Sequence, residues 1–326
     1  MTPATATSER GPTGRGQTES ASSGSLAWSM LGLVWMALVV YVLGRWVADS
    51  EAFSPMPIAG PDEISPYKVA ALRLIEFVSV VLIVWTFYRY LYLPWREAGR
   101  LTLSGMLVVG GLLAYPIDTM INYSEYAFAW SHHAINLGAW AEYVPGHNGP
   151  TRFAEGLFWA PSQYLYLGIG LGSLQLAGIR WLRRRNPSWS FARAMAPTFA
   201  VLCLIDLVVE WSFIGLEIYS YPRSWEVLTL NAGSQYQFPL FEMVFVATYA
   251  SFYTLVLHSE EVNGAGRSFI ERGAARLPAG LQQPARLFAA IGYAPTAAFV
   301  GFFGPWMVVA ETADVVAPVP SYLGFG

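Results

Sequence analysis

Long apolar stretches alternate with short polar ones along most of this chain, and the length of the apolar stretches decides what they are. Seven runs, at about 27–47, 69–91, 101–122, 157–179, 194–217, 237–257 and 287–310, are long enough to cross a bilayer as helices. A hydrocarbon core of about 30 Å needs roughly 20 residues at a rise of about 1.5 Å each. The pattern therefore predicts an all-α, polytopic integral membrane bundle of about seven transmembrane helices. Residues 1–25 hold Ser, Thr, Gly, Pro and Arg with almost no apolar content, the composition of a disordered tail. The first run is too long for a signal-peptide core and has no small-residue cleavage site, so it reads as a retained helix. A transmembrane domain over 26–311 and a short C-terminal tail over 312–326 complete the expected organisation.

Charge supports the same reading. Only 13% of the 326 residues are charged, 54% are hydrophobic, and the mean hydropathy is +0.39. A soluble domain would carry about 25% charged residues. Arginine clusters in the segments before 27, at 89–100, at 180–193 and at 258–286, while the intervening loops are rich in Asp and Glu. Seven spans with a cytoplasmic N-terminus and an extracytoplasmic C-terminus require that alternation. Lys68 is the sole lysine, as in proteins of GC-rich bacterial genomes, so the expected location is a bacterial cell membrane. Two outer loops are more than connectors. Residues 123–156 are rich in Trp, Tyr and His. Residues 218–238 carry Tyr219, Tyr221, Trp225, Tyr236 and Phe238, and form either an interfacial aromatic belt or a lid over a cavity.

Carboxylates inside the spans are the candidate chemistry. Glu76, Asp118, Asp206, Glu210 and Glu242 fall in the outer half of the membrane or at its midplane, and Asp206 and Glu210 share one helix face. A central carboxylate facing lipid costs roughly 2.5–3.5 kcal/mol, so five spread over four spans must converge on a polar interior. Asn122, Tyr123, His132, His133, Asn136 and Trp140 follow Asp118 and extend that site from the outer loop. Tyr236 and Gln237 would stand at its mouth, just ahead of Glu242.

Several functions are excluded. One cysteine, Cys203, permits neither a disulfide nor a cysteine metal site. Four histidines are too few for a membrane di-iron oxygenase, so no metal and no cofactor are expected. The last span has no lysine for a retinal Schiff base. A P-loop, a dinucleotide fingerprint, a serine elbow and a nucleic-acid-binding basic stripe are all missing. GIGLG at 168–172 lies within a span and reads as helix packing.

A set of spaced motifs resembles the AveC-type spirocyclase family. These are Gly60-Pro61-Asp62-Glu63, Glu76, Asp118-x-x-x-Asn122-Tyr123, and His133-x-x-Asn136-x-Gly138-x-Trp140. Asp206-x-x-x-Glu210 and the run from Leu228 through Gln237-Phe238-Pro239-Leu240-Phe241-Glu242 continue the set. The similarity covers about residues 26–257, and the region after 258 adds nothing to it. The resemblance implies an actinobacterial enzyme of polyketide tailoring that closes a dihydroxy-ketone to a spiroketal. The avermectin-type member is also associated with a dehydration. Such closure needs a general acid, a general base and shielding from water. Asp206 and Glu210 are the expected acid/base pair, with Glu76, Asp118 and Glu242 tuning or positioning. The expected partners are the lipid bilayer and a lipophilic small molecule. The same residues would also suit an acid-initiated isoprenoid cyclase or isomerase. A transporter or receptor for a small lipophilic molecule is the reading from a different class; it gains little, because the chain has no internal repeat.

Overall fold

A computed structural model of the chain describes residues 24–324. The tail expected over 1–25 therefore lies outside the described residues, except for Gly24 and Ser25, which open the first helix. Seven long helical segments follow in order: α1 (Gly24–Ala48), α2 (Pro66–Ala98), α3 (Leu103–Leu112), α4 (159–185), α5 (Phe191–Gly215), α6 (Leu240–Asn263) and α7 (Ala279–Thr312). Each overlaps one of the predicted runs. Five of them, α1, α2, α5, α6 and α7, are long and apolar enough to cross a membrane. A sixth is reached if α3 and the 3-10 helix Tyr115–Asn122, bent by 41° from it, count as one span. α4 is not in that set because Ser162, Gln163 and Gln175 dilute its apolar content. All three are buried inside the bundle.

The local sequence accounts for the breaks. Pro66 opens α2 at its first turn, where a missing N–H is harmless. Pro94 lies deeper and cannot donate to the Tyr90 carbonyl, and the helix widens into a π-turn over Tyr88–Tyr92 just before it. Gly99, at φ +65°, then ends the helix. Pro116 starts the bent segment after α3 and turns Asp118 inward, to 5% exposure. α4 and α7 carry π-turns of their own, at Tyr166–Gly170 and Phe299–Phe303.

Packing between helices depends on small residues that let backbones approach. At the α1–α7 crossing, a Cβ on Gly32 would stand 2.0 Å from the Phe288 carbonyl oxygen, and one on Gly292 would stand 2.0 Å from that of Trp28. Gly168 and Gly172 in α4 receive the Tyr253 side chain of α6, so the GIGLG run does serve packing.

One end of the bundle is a folded cap built from residues 49–65, 113–158, 216–239 and 313–324. Here the all-α expectation needs amending, because three two-stranded antiparallel ladders hold the cap together. β1 (Ala129–Trp130) pairs with β2 (Tyr219–Ser220), and β3 (Arg223–Ser224) with β6 (Val315–Val316). β4 (Thr229–Leu230) pairs with β5 (Phe238–Pro239). The C-terminal segment is thus part of the cap. Glu217 knots it together. Its carboxylate receives the Lys68 ammonium at 2.7 Å, the Tyr236 hydroxyl at 2.8 Å and the Tyr322 hydroxyl at 2.7 Å. Burial works against that charge, but these donors outweigh it and hold Glu217 below the ordinary glutamate range.

Candidate active site

Asp206 and Glu210 lie four residues apart on α5 and face the interior, as their spacing predicts. Glu242 meets them from the first turn of α6, where the helix dipole favours negative charge. An oxygen from each of the three carboxyls lies within 4.8 Å of the others, and the residues are 0%, 1% and 0% exposed. Among the described residues no Lys or Arg forms an ion pair with any of them. The Tyr221 hydroxyl donates to Glu210 at 2.8 Å. The carboxyls of Asp206 and Glu242 lie within reach of each other, and the Tyr221 hydroxyl also approaches Glu242. Tyr221 is itself held from two sides. Its ring stacks on Trp306 at 4.9 Å, and its carbonyl accepts the Gln237 side-chain amide at 2.6 Å.

Aromatic side chains wall the cluster. Tyr219 packs edge-on against Trp130 at 5.3 Å and against Tyr221 at 6.0 Å, and Phe128 lies against all three. On the α4 side Trp159 contacts both Phe213 and Tyr166. The Tyr219 hydroxyl approaches Glu210, and that of Tyr166 is buried without a partner. The result is a buried, aromatic-walled carboxyl cluster with few other polar atoms around it. It can pass protons and can face a developing cation with negative charge and ring faces. Three oxygens at this spacing also suit a hard divalent cation, a use that the histidine count does not exclude.

Asp118 stands across the aromatic wall, in a second pocket of its own. It accepts from the Tyr164 hydroxyl and, at 3.3 Å, from the Trp130 indole. Its carboxyl partner is Glu155, which is 1% exposed. Burial, and then the neighbouring Asp118 carboxylate, push Glu155 well above the usual range. The sequence reading counted Glu155 among ordinary outer-loop charges. The available signal was its setting, an acid flanked by Phe153-Ala154 and Gly156-Leu157-Phe158.

Glu76 does not join the Asp206 cluster. Arg73, one helical turn away, pairs with it at 2.5 Å, and its other oxygen accepts the Ile135 backbone N–H at 2.7 Å. It anchors the cap to α2. The residues expected to bind substrate are largely engaged with the cap itself. Asn122 clamps the backbone of Ala127 and Phe128, and Asn136 that of Met56, Ala134 and Gly138. Trp140 donates to the Pro116 carbonyl, Tyr123 to that of Pro145, and Tyr236 to Glu217. The His133 ring lies against Tyr322, and Gln237 reaches the cluster through Tyr221. Of this group, only Gln237 is one residue removed from the carboxyl cluster.

Comparison with known proteins adds one finding. No curated protein and no solved structure matches the chain. A family model described as "Spirocyclase AveC-like" matches residues 98–321. That region starts later than the motif resemblance and runs well beyond residue 258, through α7 and the C-terminal strand of the cap. It takes in Asp118, Glu155, Asp206, Glu210 and Glu242 and leaves out Glu76. With more than half of its residues matched, the chain belongs to the AveC-like spirocyclase family.

Proposed function

We propose that this protein closes a lipophilic dihydroxy-ketone of polyketide origin to a spiroketal, using the carboxyls of Asp206, Glu210 and Glu242 as its acid and base. The observation that carries the reading is three fully buried carboxyls meeting behind aromatic side chains, with no counter-cation among the described residues. One substrate hydroxyl adds to the ketone and gives a hemiketal. A protonated carboxyl then donates to the hemiketal hydroxyl, which leaves as water and yields an oxocarbenium ion. The remaining carboxylate faces that cation, as do the rings of Tyr219 and Tyr221. The second hydroxyl adds to the cationic carbon, and its proton passes to the carboxylate, which restores the acid. One water is released and no electrons are exchanged.

In this reading Asp206 and Glu210 are the acid/base pair, and Glu242 sets how their proton is shared. Tyr221 orients Glu210, Gln237 orients Tyr221, and the Asp118–Glu155 pair braces the far wall through Trp130. The chain is a bacterial cell-membrane protein of seven spans, with α4 completing the bundle, its N-terminus cytoplasmic and the cap outside. The arginine-rich connections at the end away from the cap support that orientation. The test is to reconstitute the protein in vesicles, supply candidate dihydroxy-ketones, and analyse the products by chiral chromatography. The expected result is faster closure with a single stereoisomer. Product ratios equal to the spontaneous ones for every candidate overturn the proposal. Wild-type rates in both Asp206→Asn and Glu210→Gln remove the assigned pair.

A further inference from the structure

We propose that the crevice between α2 and α4 is the doorway through which substrate enters from the bilayer, and that Tyr166 is the side chain that closes it over the carboxyl cluster. The inference rests on the spirocyclase reading for its ligand, a chain-like lipophilic keto-diol, and on separate observations for its position.

The crevice has a volume of about 250 Å³ and is lined on one side by Ile83, Thr86 and Tyr90 and on the other by Tyr166, Ile169 and Gly170. Its rim includes Leu82 and Trp85, which are 40% and 54% exposed, so it opens on the outer, apolar surface of α2. Both walls are irregular at this level. Tyr90 belongs to the π-turn of α2, and Tyr166, Ile169 and Gly170 belong to that of α4. Such turns are frequent where a helix carries function rather than packing alone.

Tyr166 stands between this crevice and the carboxyl cluster. Its ring lines the crevice and contacts Trp159 at 6.3 Å, while its hydroxyl is buried and unpartnered. That hydroxyl also lies within electrostatic reach of Asp206, Glu210 and Glu242. The volume outside Tyr166 is below the roughly 300–1,000 Å³ of a ligand pocket, so it accepts the leading end of a chain-like molecule and not all of it. Swinging Tyr166 aside extends the crevice toward the buried carboxyl cluster and brings the polar end of the substrate to it. The unpartnered hydroxyl means that this swing breaks no hydrogen bond.

A second crevice, between α4 and α5, is larger at about 330 Å³ but leads elsewhere. Thr198 there donates to the Ala194 carbonyl, and Gln175 accepts from Ser251 and Thr254 while its own amide nitrogen is buried without a partner; neither Tyr166 nor a π-turn residue borders this crevice. It therefore serves as the control.

The experiment uses the full chain in vesicles with two crevice-filling variants. A Cβ on Gly170 meets its nearest neighbours at 3.7 Å, an ordinary contact, so Gly170→Phe fills the first crevice without a backbone clash. Val201→Phe, at a position 52% exposed, fills the second. Each protein is irradiated with a diazirine-bearing long-chain dihydroxy-ketone, and adducts are mapped by peptide mass spectrometry. Adducts at 82–90 and 162–170 that fall at least tenfold in Gly170→Phe and persist in Val201→Phe support the doorway. Adducts confined to 174–205, or unchanged by Gly170→Phe, overturn it. In the ring-closure assay, Gly170→Phe should raise KM tenfold or more with kcat within twofold, and Val201→Phe should leave both unchanged. A larger effect of Val201→Phe on KM overturns the doorway. If the wild-type protein closes no ring, the spirocyclase reading fails, while the adduct map still decides the route.

Discussion

Asp206→Asn separates a working carboxyl from a structural one, because the two roles predict stability changes of opposite sign. Asp206 is fully buried, no group outside the carboxyl cluster donates to its two oxygens, and carboxyl oxygens of Glu210 and Glu242 stand within 4.8 Å. Two ionised carboxylates at that 4.8 Å limit repel by about 3.5 kcal/mol at an effective dielectric of about 20. In the metal-free protein the cluster relieves that repulsion by binding protons, and each acceptor left without a donor costs about 1–3 kcal/mol. Asparagine has nearly the same shape, carries no charge and supplies an N–H donor toward Glu242. The variant should therefore be more stable than wild type by about 1–3 kcal/mol. In detergent micelles this would appear as a rise in Tm of roughly 1.5–4.5 °C. Loss of a group that transfers a proton in the rate-limiting step should lower kcat by about 10²–10⁴-fold. Both measurements are made on one preparation, with thermal unfolding in micelles and ring closure in vesicles. A lower Tm with unchanged kcat would refute the reasoning and make Asp206 a helix-packing residue.

The remaining predictions test the cap, the packing and the choice of acid chemistry. Lys68→Met and Glu217→Gln should each destabilise by about 1.5–3 kcal/mol, since each removes the charge-assisted contact at the centre of the cap. The double variant should cost clearly less than their sum, and additive Tm shifts would refute the coupling. Because the Glu217 pKa is lowered on folding, its contribution is complete above the ordinary glutamate range and is lost as pH falls through the folded value. Hydrogen exchange of the cap should therefore accelerate under acid before the helices do, and pH-independent protection at 216–239 would refute this. Gly292→Ala should cost about 1–3 kcal/mol by forcing α1 off α7, whereas Gly44→Ala, with nothing within 4 Å, should be neutral or slightly stabilising. Equal Tm shifts for the two would contradict the close helix crossing. Exhaustive chelation should leave the rate of ring closure unchanged, and a loss restored by added divalent cation would assign the three carboxyls to a metal.

The helices were legible in the sequence because a bilayer-length apolar run has few alternative structures. The Asp206–Glu210 pair was legible for a similar reason, since four residues on a helix return to the same face. Pro239 marked the start of α6 and so placed Glu242 in its first turn. Spacing along the chain cannot show which carboxyls meet. Glu76 looks equivalent to the others in one dimension, yet Arg73 and the Ile135 N–H occupy it, while Glu155, 37 residues from Asp118, becomes that residue's closest carboxyl partner. Cap strands only two residues long leave no periodicity to detect, and the Lys68–Glu217 contact joins segments that no local rule connects. The sequence by itself determined a membrane bundle carrying acids, through the cost of exposing polar groups to lipid. The tertiary structure alone decided which acids converge, because that depends on how the bend at Pro116 and the glycine crossings aim each helix face.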